Sequence, residues 1–204
     1  MKVCVITLGC KVNAYESEHV KEQFLDHNYE LVNMNEKADI VVINTCTVTN
    51  QSDAKSRKLI RSAKRQNPNC ILVVCGCAAE HHKEHLIDLD IDILIGNYNK
   101  SRIVELVEDF IKNKEKVVNF QDMMSVPFEN MEISKFLNRT RGFVKIQDGC
   151  NNYCSYCIIP YMRGNCRSKE INEAYEEIKT LVNNGYKEIV LTGIHTGHYG
   201  EDKD

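Results

Sequence analysis

Three cysteines stand close together in the segment GCNNYCSYC, which runs from Gly149 to Cys157. Thiolates are the ligands of many zinc sites and of iron–sulfur clusters. A structural zinc site takes four protein ligands, whereas Cys150, Cys154 and Cys157 supply only three. A 4Fe-4S cluster held by three thiolates keeps one iron open for another molecule. The spacing therefore favours a 4Fe-4S cluster with an open iron, and the alternative is a zinc site completed by Cys166 or by a histidine.

Three further cysteines each follow a predicted strand. Cys10, Cys46 and Cys77 come after the apolar segments VCVITL, ADIVVINT and CILVVC. The carboxyl ends of parallel strands meet at one edge of a sheet, and ligands of such folds bind there. We therefore expect these cysteines to form a second site, although three unrelated loop cysteines are the alternative. Three other cysteines lie inside the predicted strands and are expected to be small core residues, namely Cys4, Cys70 and Cys75.

The segments between these cysteines predict alternating strands and helices. Short β-branched apolar runs, typical of strands covered on both faces, occupy residues 3–8, 38–45, 70–75 and 91–96. Helical patterns separate them at residues 15–27, 52–66 and 100–112, with a short turn at 78–85. Parallel strands joined by helical crossovers give a doubly wound α/β domain. We predict a flavodoxin-like parallel-sheet domain over residues 1–133.

A second α/β unit is predicted over residues 134–204. Residues 117–137 show no regular pattern and are interpreted as a linker. A strand, the cysteine segment, a helix and a second strand then follow, at residues 142–147, 149–157, 171–183 and 188–193. This order is that of a βαβ unit, which places the cysteine segment directly after its first strand.

Composition and charge restrict the class of protein. Ten cysteines are present, but the amino-terminal sequence MKVCVITLGC lacks the basic segment and long apolar run of a secretory signal. We therefore expect a soluble protein in the reducing cytoplasm, where clustered cysteines more often bind metal than form disulfides. The longest apolar run, CILVVCGCAA, is too short to cross a membrane. The net charge of -3 gives no overall positive field, so a nucleic-acid partner would have to meet a local basic patch.

Five motifs together resemble the methylthiotransferase family of radical S-adenosylmethionine (SAM) enzymes. They are TLGCKVNAYES, NTCTVTNQSDAKSRKLIR, VVCGCAAE, GCNNYCSYC and IPYMRGNCRSK. The forms LGCKVN and NTCTVTN resemble the branch that acts on threonylcarbamoyl-adenosine next to the anticodon of tRNA. The isopentenyl-adenosine and ribosomal-protein branches typically carry other residues around the first cysteine. The resemblance implies that the sheet domain is followed by the first βαβ portion of a radical SAM partial (β/α) barrel.

The resemblance also implies two 4Fe-4S clusters, SAM and a set of site residues. Its cluster ligands are Cys10, Cys46 and Cys77 for an auxiliary cluster, and Cys150, Cys154 and Cys157 for a cluster whose open iron binds SAM. Residues implied to lie against SAM are Tyr156, just before the last cysteine, and Thr192 and Gly193 after the second strand. Arg163 matches an Arg-Gly element of the family and is a candidate substrate contact, whereas Cys166 departs from the polar residue usual there.

The reaction implied by the resemblance adds a methylthio group to carbon 2 of the modified adenine at position 37 of tRNA. That carbon–hydrogen bond is not acidic, so a side-chain base cannot break it and a radical is required. Reduced 4Fe-4S chemistry reaches potentials of about -700 mV, which suits the cleavage of SAM to a deoxyadenosyl radical. An electron donor such as a flavodoxin or a ferredoxin is implied. Two alternatives remain, namely methylthiolation of a ribosomal-protein side chain and a non-catalytic cluster- or zinc-binding fragment.

Two helical patterns give weaker indications of function. The predicted helix at residues 52–66 carries much of its basic charge, including Arg61, along one face. This face could contact tRNA phosphates, and a solvated basic surface is the alternative. His81 and His85 have the spacing of a helical metal pair, but no third ligand is near in the sequence, so a solvated helix surface is expected.

The chain is shorter than the architecture that the resemblance implies. A radical SAM partial barrel needs several more βα units, and family members usually end in a small basic RNA-binding domain. The sequence after residue 193 contains neither of them. We therefore interpret the chain as the amino-terminal part of a longer protein.

Overall fold

Six parallel strands form the sheet of the first unit in the computed structural model, which describes residues 1–137 and 140–203. The strands are β1 (Lys2–Thr7), β2 (Glu30–Leu31), β3 (Ile40–Thr45), β4 (Ile71–Gly76), β5 (Ile93–Ile95) and β6 (Val117–Asn119). Their order across the sheet is β2-β1-β3-β4-β5-β6, and every neighbouring pair is parallel. The strand order reverses between β1 and β3, as it does in flavodoxin-like folds. The predicted flavodoxin-like architecture is therefore confirmed.

Helices cover both faces of this sheet. They are α1 (Lys11–Asp26), α2 (Asn50–Gln66), the short α3 (Cys77–His81) and α4 (Lys83–Leu86), and α5 (Ile103–Asn113), which follows a turn of 3-10 helix at Lys100–Arg102. Successive strand residues point to opposite faces, so Val42 packs in one apolar cluster and Ile43 in the other. Cys75 is buried in the first cluster, and Cys4 and Cys70 in the second. The prediction that these three cysteines are core residues is confirmed.

Helix α1 begins at Lys11, earlier than the predicted Tyr15. Cys10 has the extended backbone of a residue that precedes a helix, with φ -92° and ψ 179°. Asn13, a weak helix former in the first turn, donates from Nδ2 to the carbonyl oxygens of Leu8 at 2.8 Å and Thr45 at 2.9 Å. These tertiary hydrogen bonds offset its low helix propensity, which is why the sequence pattern places the start too late.

The sequence does not predict the edge strands β2 and β6. Strand β6 opens the segment interpreted as a linker, and it pairs with β5 from Val117 to Asn119. Strand β2 pairs with β1 at Lys2 and Val3. Strands of two or three residues are too short for an alternating pattern to stand out from a loop. The interpretation of residues 117–119 as a linker is therefore wrong.

A second compact unit begins at Asp122, earlier than the predicted boundary between residues 133 and 134. Met131 and Ile133 are buried in this unit, and Lys169 Nζ donates to the carbonyl oxygen of Met131 at 2.9 Å. Because these contacts join residues far apart in the sequence, no local pattern marks the boundary.

The second unit contains one parallel pair of strands and the helix that connects them. Strand β7 (Gly142–Lys145) pairs with β10 (Ile189–Thr192), and α7 (Ile171–Asn183) is the crossover, with the bounds that the sequence predicts. Three short elements lie between β7 and α7: β8 (Gln147–Asp148), α6 (Ile159–Arg163) and β9 (Arg167–Ser168). Strands β8 and β9 pair antiparallel. In residues 1–137 and 140–203, no helix has the length and apolar character needed to cross a membrane.

Two candidate cysteine sites

The cysteine-bearing loops of the first unit lie at the carboxyl edge of the sheet. Cys10, Cys46 and Cys77 follow β1, β3 and β4, which are adjacent strands at the point where the strand order reverses. All three thiols are outside disulfides. Cys46 and Cys77 are 3% exposed, whereas Cys10 is exposed. The structure thus brings these three loops to the edge where such folds bind their ligands.

Glycines let these loops approach one another closely. Gly9 has a φ of +103°, and a Cβ there would lie 2.8 Å from Sγ of Cys46. Gly76, directly before Cys77, has a φ of +96°, and a Cβ there would lie 2.5 Å from the carbonyl oxygen of Thr45. Only glycine satisfies both the backbone angle and the lack of space. The close approach of these loops at Cys46, together with a donor set of three thiols, fits a thiolate-bound cluster.

Two asparagines contact the sulfurs of this first site. Cys10 Sγ donates to Oδ1 of Asn13 at 3.8 Å, and Nδ2 of Asn97 approaches Cys77 Sγ at 3.5 Å. Lys100 Nζ in turn donates to Oδ1 of Asn97 at 3.1 Å, and Lys100 is fully buried. The sequence analysis missed both asparagines. Asn13 lies in the quoted LGCKVN segment, which is the signal that could have identified it.

The second cysteine loop follows β8 and is largely open to solvent. Cys150 is buried, Cys157 is half-buried and Cys154 is exposed, while the side chain of Tyr156 is 91% exposed. The base of the loop is fixed by two backbone groups. The amide of Cys150 donates to the carbonyl oxygen of Gly164 at 3.0 Å, and the amide of Cys166 donates to Oδ1 of Asn151 at 2.9 Å.

Gly149 allows the chain to turn into this loop. Its φ is +70°, and a Cβ there would collide with the carbonyl oxygen of Asn165. Any other residue would therefore combine a left-handed backbone angle with a clash against backbone that cannot rotate away. This close approach and the three thiols fit a cluster bound by the loop.

A buried charge cluster lies at the base of the second loop. Arg163 Nη1 donates to both carboxylate oxygens of Asp148, at 2.9 and 3.0 Å, and Lys145 Nζ lies 3.3 Å from Oδ2. All three side chains are buried. Burial alone would raise the pKa of Asp148, but the positive charges of Arg163, Lys145 and Arg167 hold this pKa far below its ordinary range. The buried position of Arg163 favours a structural role, in which it holds the loop in place. It does not favour the substrate contact that the resemblance implies.

Gln147 joins the second loop to the turn after β10. Its Nε2 donates to the carbonyl oxygen of Gly149 at 2.7 Å, and its Oε1 accepts from the amide of His195 at 2.8 Å. Thr192 is buried at the end of β10, and a Cβ on Gly193 would lie 2.9 Å from Oε1 of Gln147. The structure therefore brings Thr192 and Gly193 to the same strand ends as the cysteine loop. Gln147 is not among the predicted site residues, because a lone glutamine in a strand belongs to no motif.

Cys166 is a buried thiol beside the second loop. Its Sγ accepts from Nε2 of Gln147 and donates to the carbonyl oxygen of His198, each at 3.3 Å. Burial raises the pKa of Cys166 above its ordinary value, which favours the protonated thiol at neutral pH. These contacts favour a structural role over that of a fourth zinc ligand.

The sulfurs of each set do not converge on one point. Among the described residues, no three histidine, cysteine or acidic side chains lie close enough together to bind a metal ion. The structure thus brings together the loops of the first site and orders the base of the second.

Helix α2 presents basic side chains at a surface cleft of about 370 Å³. Arg61 is exposed and lines this cleft with Arg57, His82 and His85 above the apolar residues Ile60, Leu86 and Leu89. His82 Nε2 lies 2.7 Å from Oδ1 of Asp53, and Asp53 also pairs with Arg57. His81 is exposed. His85 is exposed too, which agrees with the solvated surface expected for these histidines, but His81 ends α3 and His85 lies in α4, so they do not share one helix.

Two family models match the chain. Residues 2–96 match the family described as "Uncharacterized protein family UPF0004", and residues 144–203 match the radical SAM superfamily. The radical SAM match supports an iron–sulfur cluster and SAM as cofactors of the second unit.

Curated relatives match along nearly the whole chain. The chain is 42% identical to threonylcarbamoyladenosine tRNA methylthiotransferase MtaB of Bacillus subtilis, over 96% of this chain and 44% of that protein. It is 38% identical to MtaB of Aquifex aeolicus, over 100% of this chain and 50% of that protein. A tRNA-2-methylthio-N(6)-dimethylallyladenosine synthase of Methylacidiphilum infernorum is 32% identical over 97% of this chain and 44% of its own length. The chain spans about half the length of the curated relatives it matches.

One solved structure supports the fold at low sequence identity. The radical S-adenosylmethionine methyltransferase TsrM of Kitasatospora setae matches with a TM-score of 0.58 and 13% identity, over 96% of this chain and 48% of TsrM. Its fold agrees with a parallel-sheet domain followed by the start of a radical SAM barrel. The second unit thus matches the radical SAM superfamily, and along nearly its whole length the chain is similar to the MtaB methylthiotransferases.

Proposed function

We propose that the chain supplies the cluster-binding part of an enzyme that adds a methylthio group to carbon 2 of threonylcarbamoyl-adenosine at position 37 of tRNA. One observation carries this proposal more than any other. The chain has two cysteine triads at strand ends, and it is 42% identical to a threonylcarbamoyladenosine tRNA methylthiotransferase over nearly its whole length. The relatives named for the dimethylallyladenosine substrate are less similar, at 32% and 33%.

Each triad is proposed to hold a 4Fe-4S cluster. Cys10, Cys46 and Cys77 would bind the auxiliary cluster at the edge of the first sheet. The second loop would bind the cluster that takes SAM, through Cys150, Cys154 and Cys157. When bound, such clusters with SAM supply strongly reducing one-electron chemistry, at potentials down to about -700 mV.

The protein's own side chains would hold SAM against the second loop. Asp148 and Arg163 fix the base of this loop from beneath, and Gln147 ties it to the turn after β10. Thr192, the last residue of β10, and Gly193, directly after it, are proposed to contact SAM. Tyr156, which is 91% exposed, is proposed to lie against its adenosine. These contacts would orient SAM and exclude water, which is what a protein contributes to radical chemistry.

The tRNA backbone is proposed to lie along the basic face of α2. Arg61 is exposed at the cleft, and Arg57 and His85 flank it. Exposed guanidinium groups suit phosphate recognition because they can donate two hydrogen bonds to one phosphate. The wider partners proposed are an electron donor such as a flavodoxin or ferredoxin, and the proposed location is the cytoplasm.

A nucleoside analysis tests the proposed reaction. The gene that encodes this chain is expressed in a Bacillus subtilis strain that lacks its MtaB relative, and tRNA nucleosides are analysed by mass spectrometry. We expect the methylthio form of threonylcarbamoyl-adenosine to return with the native gene. Matched variants with Cys46→Ala or Cys154→Ala should not restore it, whereas Cys4→Ala should, because Cys4 is a core residue.

Two results would contradict the proposal. Methylthiolation that appears on dimethylallyladenosine alone would move the substrate to that of the more distant relatives. Restoration by the Cys154→Ala variant would show that the second triad is not required for the reaction.

A further inference from the structure

A buried ion pair stands beside the first cysteine site. Lys100 Nζ lies 2.6 Å from Oε2 of Glu16, and the two side chains are 0% and 1% exposed. Transfer of two charges from water to a protein interior is unfavourable for each ion, so a buried pair contributes little to stability relative to an apolar pair. The pair is therefore not explained by stability alone.

The pair orients one amide group. Lys100 Nζ also donates to Oδ1 of Asn97 at 3.1 Å. An ammonium group is a donor only, so the atom of Asn97 that faces Lys100 must be the amide oxygen Oδ1. Cys77 Sγ, as a thiol, also donates to this oxygen at 3.7 Å. The amide nitrogen, Nδ2, approaches Cys77 Sγ at 3.5 Å. The charge on Lys100 therefore fixes which amide atom is the donor, and a thiolate at Cys77, which can only accept, would keep the contact with the Nδ2 N–H.

The backbone of Asn97 is held independently by the helix that begins at Cys77. The amide of Asn97 donates to Oε2 of Glu80 at 3.0 Å, and Glu80 lies in α3. A Cβ on Gly96 would collide with the Glu80 carboxylate, so the turn lies tightly against this side chain. Side chain and backbone of Asn97 are thus both fixed relative to Cys77.

We propose that Asn97 is a positioning residue of the auxiliary cluster, whose amide, oriented by Lys100 and Glu16, donates a hydrogen bond to the ligand sulfur of Cys77. This inference rests on the proposed function, which places a cluster on Cys77. An N–H donor stabilises negative charge on sulfur, and a reduced cluster carries more negative charge than an oxidised one. The hydrogen bond therefore raises the reduction potential of the cluster.

A redox titration tests the assignment. The chain carries Cys150→Ala, Cys154→Ala and Cys157→Ala, so that only the first triad can bind a cluster, and it is reconstituted anaerobically with iron and sulfide. Asn97→Leu, which removes the donor with little change in shape or charge, is compared with this parent by potentiometric titration followed by electron paramagnetic resonance. We expect a more negative midpoint potential.

A matched control uses an asparagine at the other end of the sheet. Asn67 accepts from the amide of Ala38 at 3.0 Å, close to the amino end of β3, and Asn67→Leu should leave the midpoint potential unchanged. A second variant, Glu16→Gln with Lys100→Met, removes the orienting charges and keeps Asn97. It should shift the potential in the same direction as Asn97→Leu but by less.

The outcomes separate this inference from the proposed function. If the parent binds no cluster, the proposed auxiliary cluster site and the proposed role of Asn97 are both overturned. If the parent binds a cluster and Asn97→Leu has the same potential as Asn67→Leu, the inference alone is overturned. If Asn97→Leu fails to retain iron, the double variant decides: a negative shift supports the inference, and an unchanged potential overturns it.

Discussion

The two cysteine sites are built in opposite ways. The first draws its cysteines from the ends of three neighbouring strands, so a parallel sheet with two packed faces places their loops along one edge. The second takes its cysteines from one short loop, and only the base of that loop is fixed. Ligands that are far apart in the sequence depend on a folded sheet to place them at one edge. Ligands within one loop need only contacts that hold the base of that loop.

The two sites also differ in burial. At the first site Cys46 and Cys77 are buried, and asparagines contact the sulfurs of Cys10 and Cys77. At the second site Cys154 and Tyr156 are exposed, and the polar contacts lie beneath the loop at Asp148. This difference suits a largely buried auxiliary cluster in the first unit and an accessible SAM site in the second, as proposed above.

Removing the anchor of the second loop should have the largest effect on stability. Asp148→Asn leaves the buried charges of Arg163 and Lys145 without their carboxylate. We expect the free energy of unfolding to fall by about 3–5 kcal/mol, measured by urea denaturation followed by circular dichroism. Glu188→Gln is the control, because it breaks only the exposed pair with Arg141 and should cost less than about 1 kcal/mol. Equal losses in the two variants would show that Asp148 is not an anchor.

A smaller loss is expected from two glycine variants that separate backbone strain from steric conflict. Gly149 and Gly185 have φ values of +70° and +94°, but only Gly149 lies against other atoms. Gly185→Ala should cost about 1–2 kcal/mol for the left-handed backbone alone. Gly149→Ala should cost about 1–3 kcal/mol more and should reduce iron binding by the second loop. Equal unfolding midpoints would contradict the close approach to Asn165.

The smallest loss of stability is expected when Asp53 of the first unit, which contacts His82 and Arg57, loses its charge. Burial would raise the pKa of Asp53, but hydrogen bonds from His82 and Thr47 and the charge of Arg57 lower it below its ordinary value. A lowered carboxyl pKa adds stability above the unfolded pKa of about 3.9, and this stability disappears as the pH falls through the folded pKa. At pH 7, Asp53→Asn should lower the free energy of unfolding by about 1 kcal/mol.

The pH dependence of that difference is the check. Urea denaturation of the native chain and of the Asp53→Asn variant should give free energies that approach each other as the pH falls below about 4. A difference that stays constant from pH 7 to pH 3 would mean that the Asp53 charge does not contribute.

The sequence predicts the parts of each site that depend on short-range patterns. The second triad is visible in a single segment, and the strand before each cysteine of the first triad is a continuous apolar run because both faces of the sheet are covered. The alternation of strands and helices predicts the parallel sheet, but the reversal of strand order depends on β2, which the sequence does not predict. The same patterns locate α7 correctly, since its amphipathic period is undisturbed.

The supporting contacts are not predictable in this way. Glu16 and Lys100 are 84 residues apart in the sequence, and Gln147 contacts His195 across 48 residues. Neither pair has a local signature, since each residue type is common on protein surfaces. The edge strands escape prediction for a different reason, because two or three residues cannot establish a period.

Metal analysis of variants tests the central claim, that each triad holds its own cluster. After anaerobic reconstitution, the native chain should bind about eight irons, and Cys10→Ala/Cys46→Ala/Cys77→Ala and Cys150→Ala/Cys154→Ala/Cys157→Ala should each bind about four. A matched triple variant of the core cysteines, Cys4→Ala/Cys70→Ala/Cys75→Ala, should keep the native amount. Bound zinc in place of iron, or a first-triad variant that keeps the full iron content, would contradict the account.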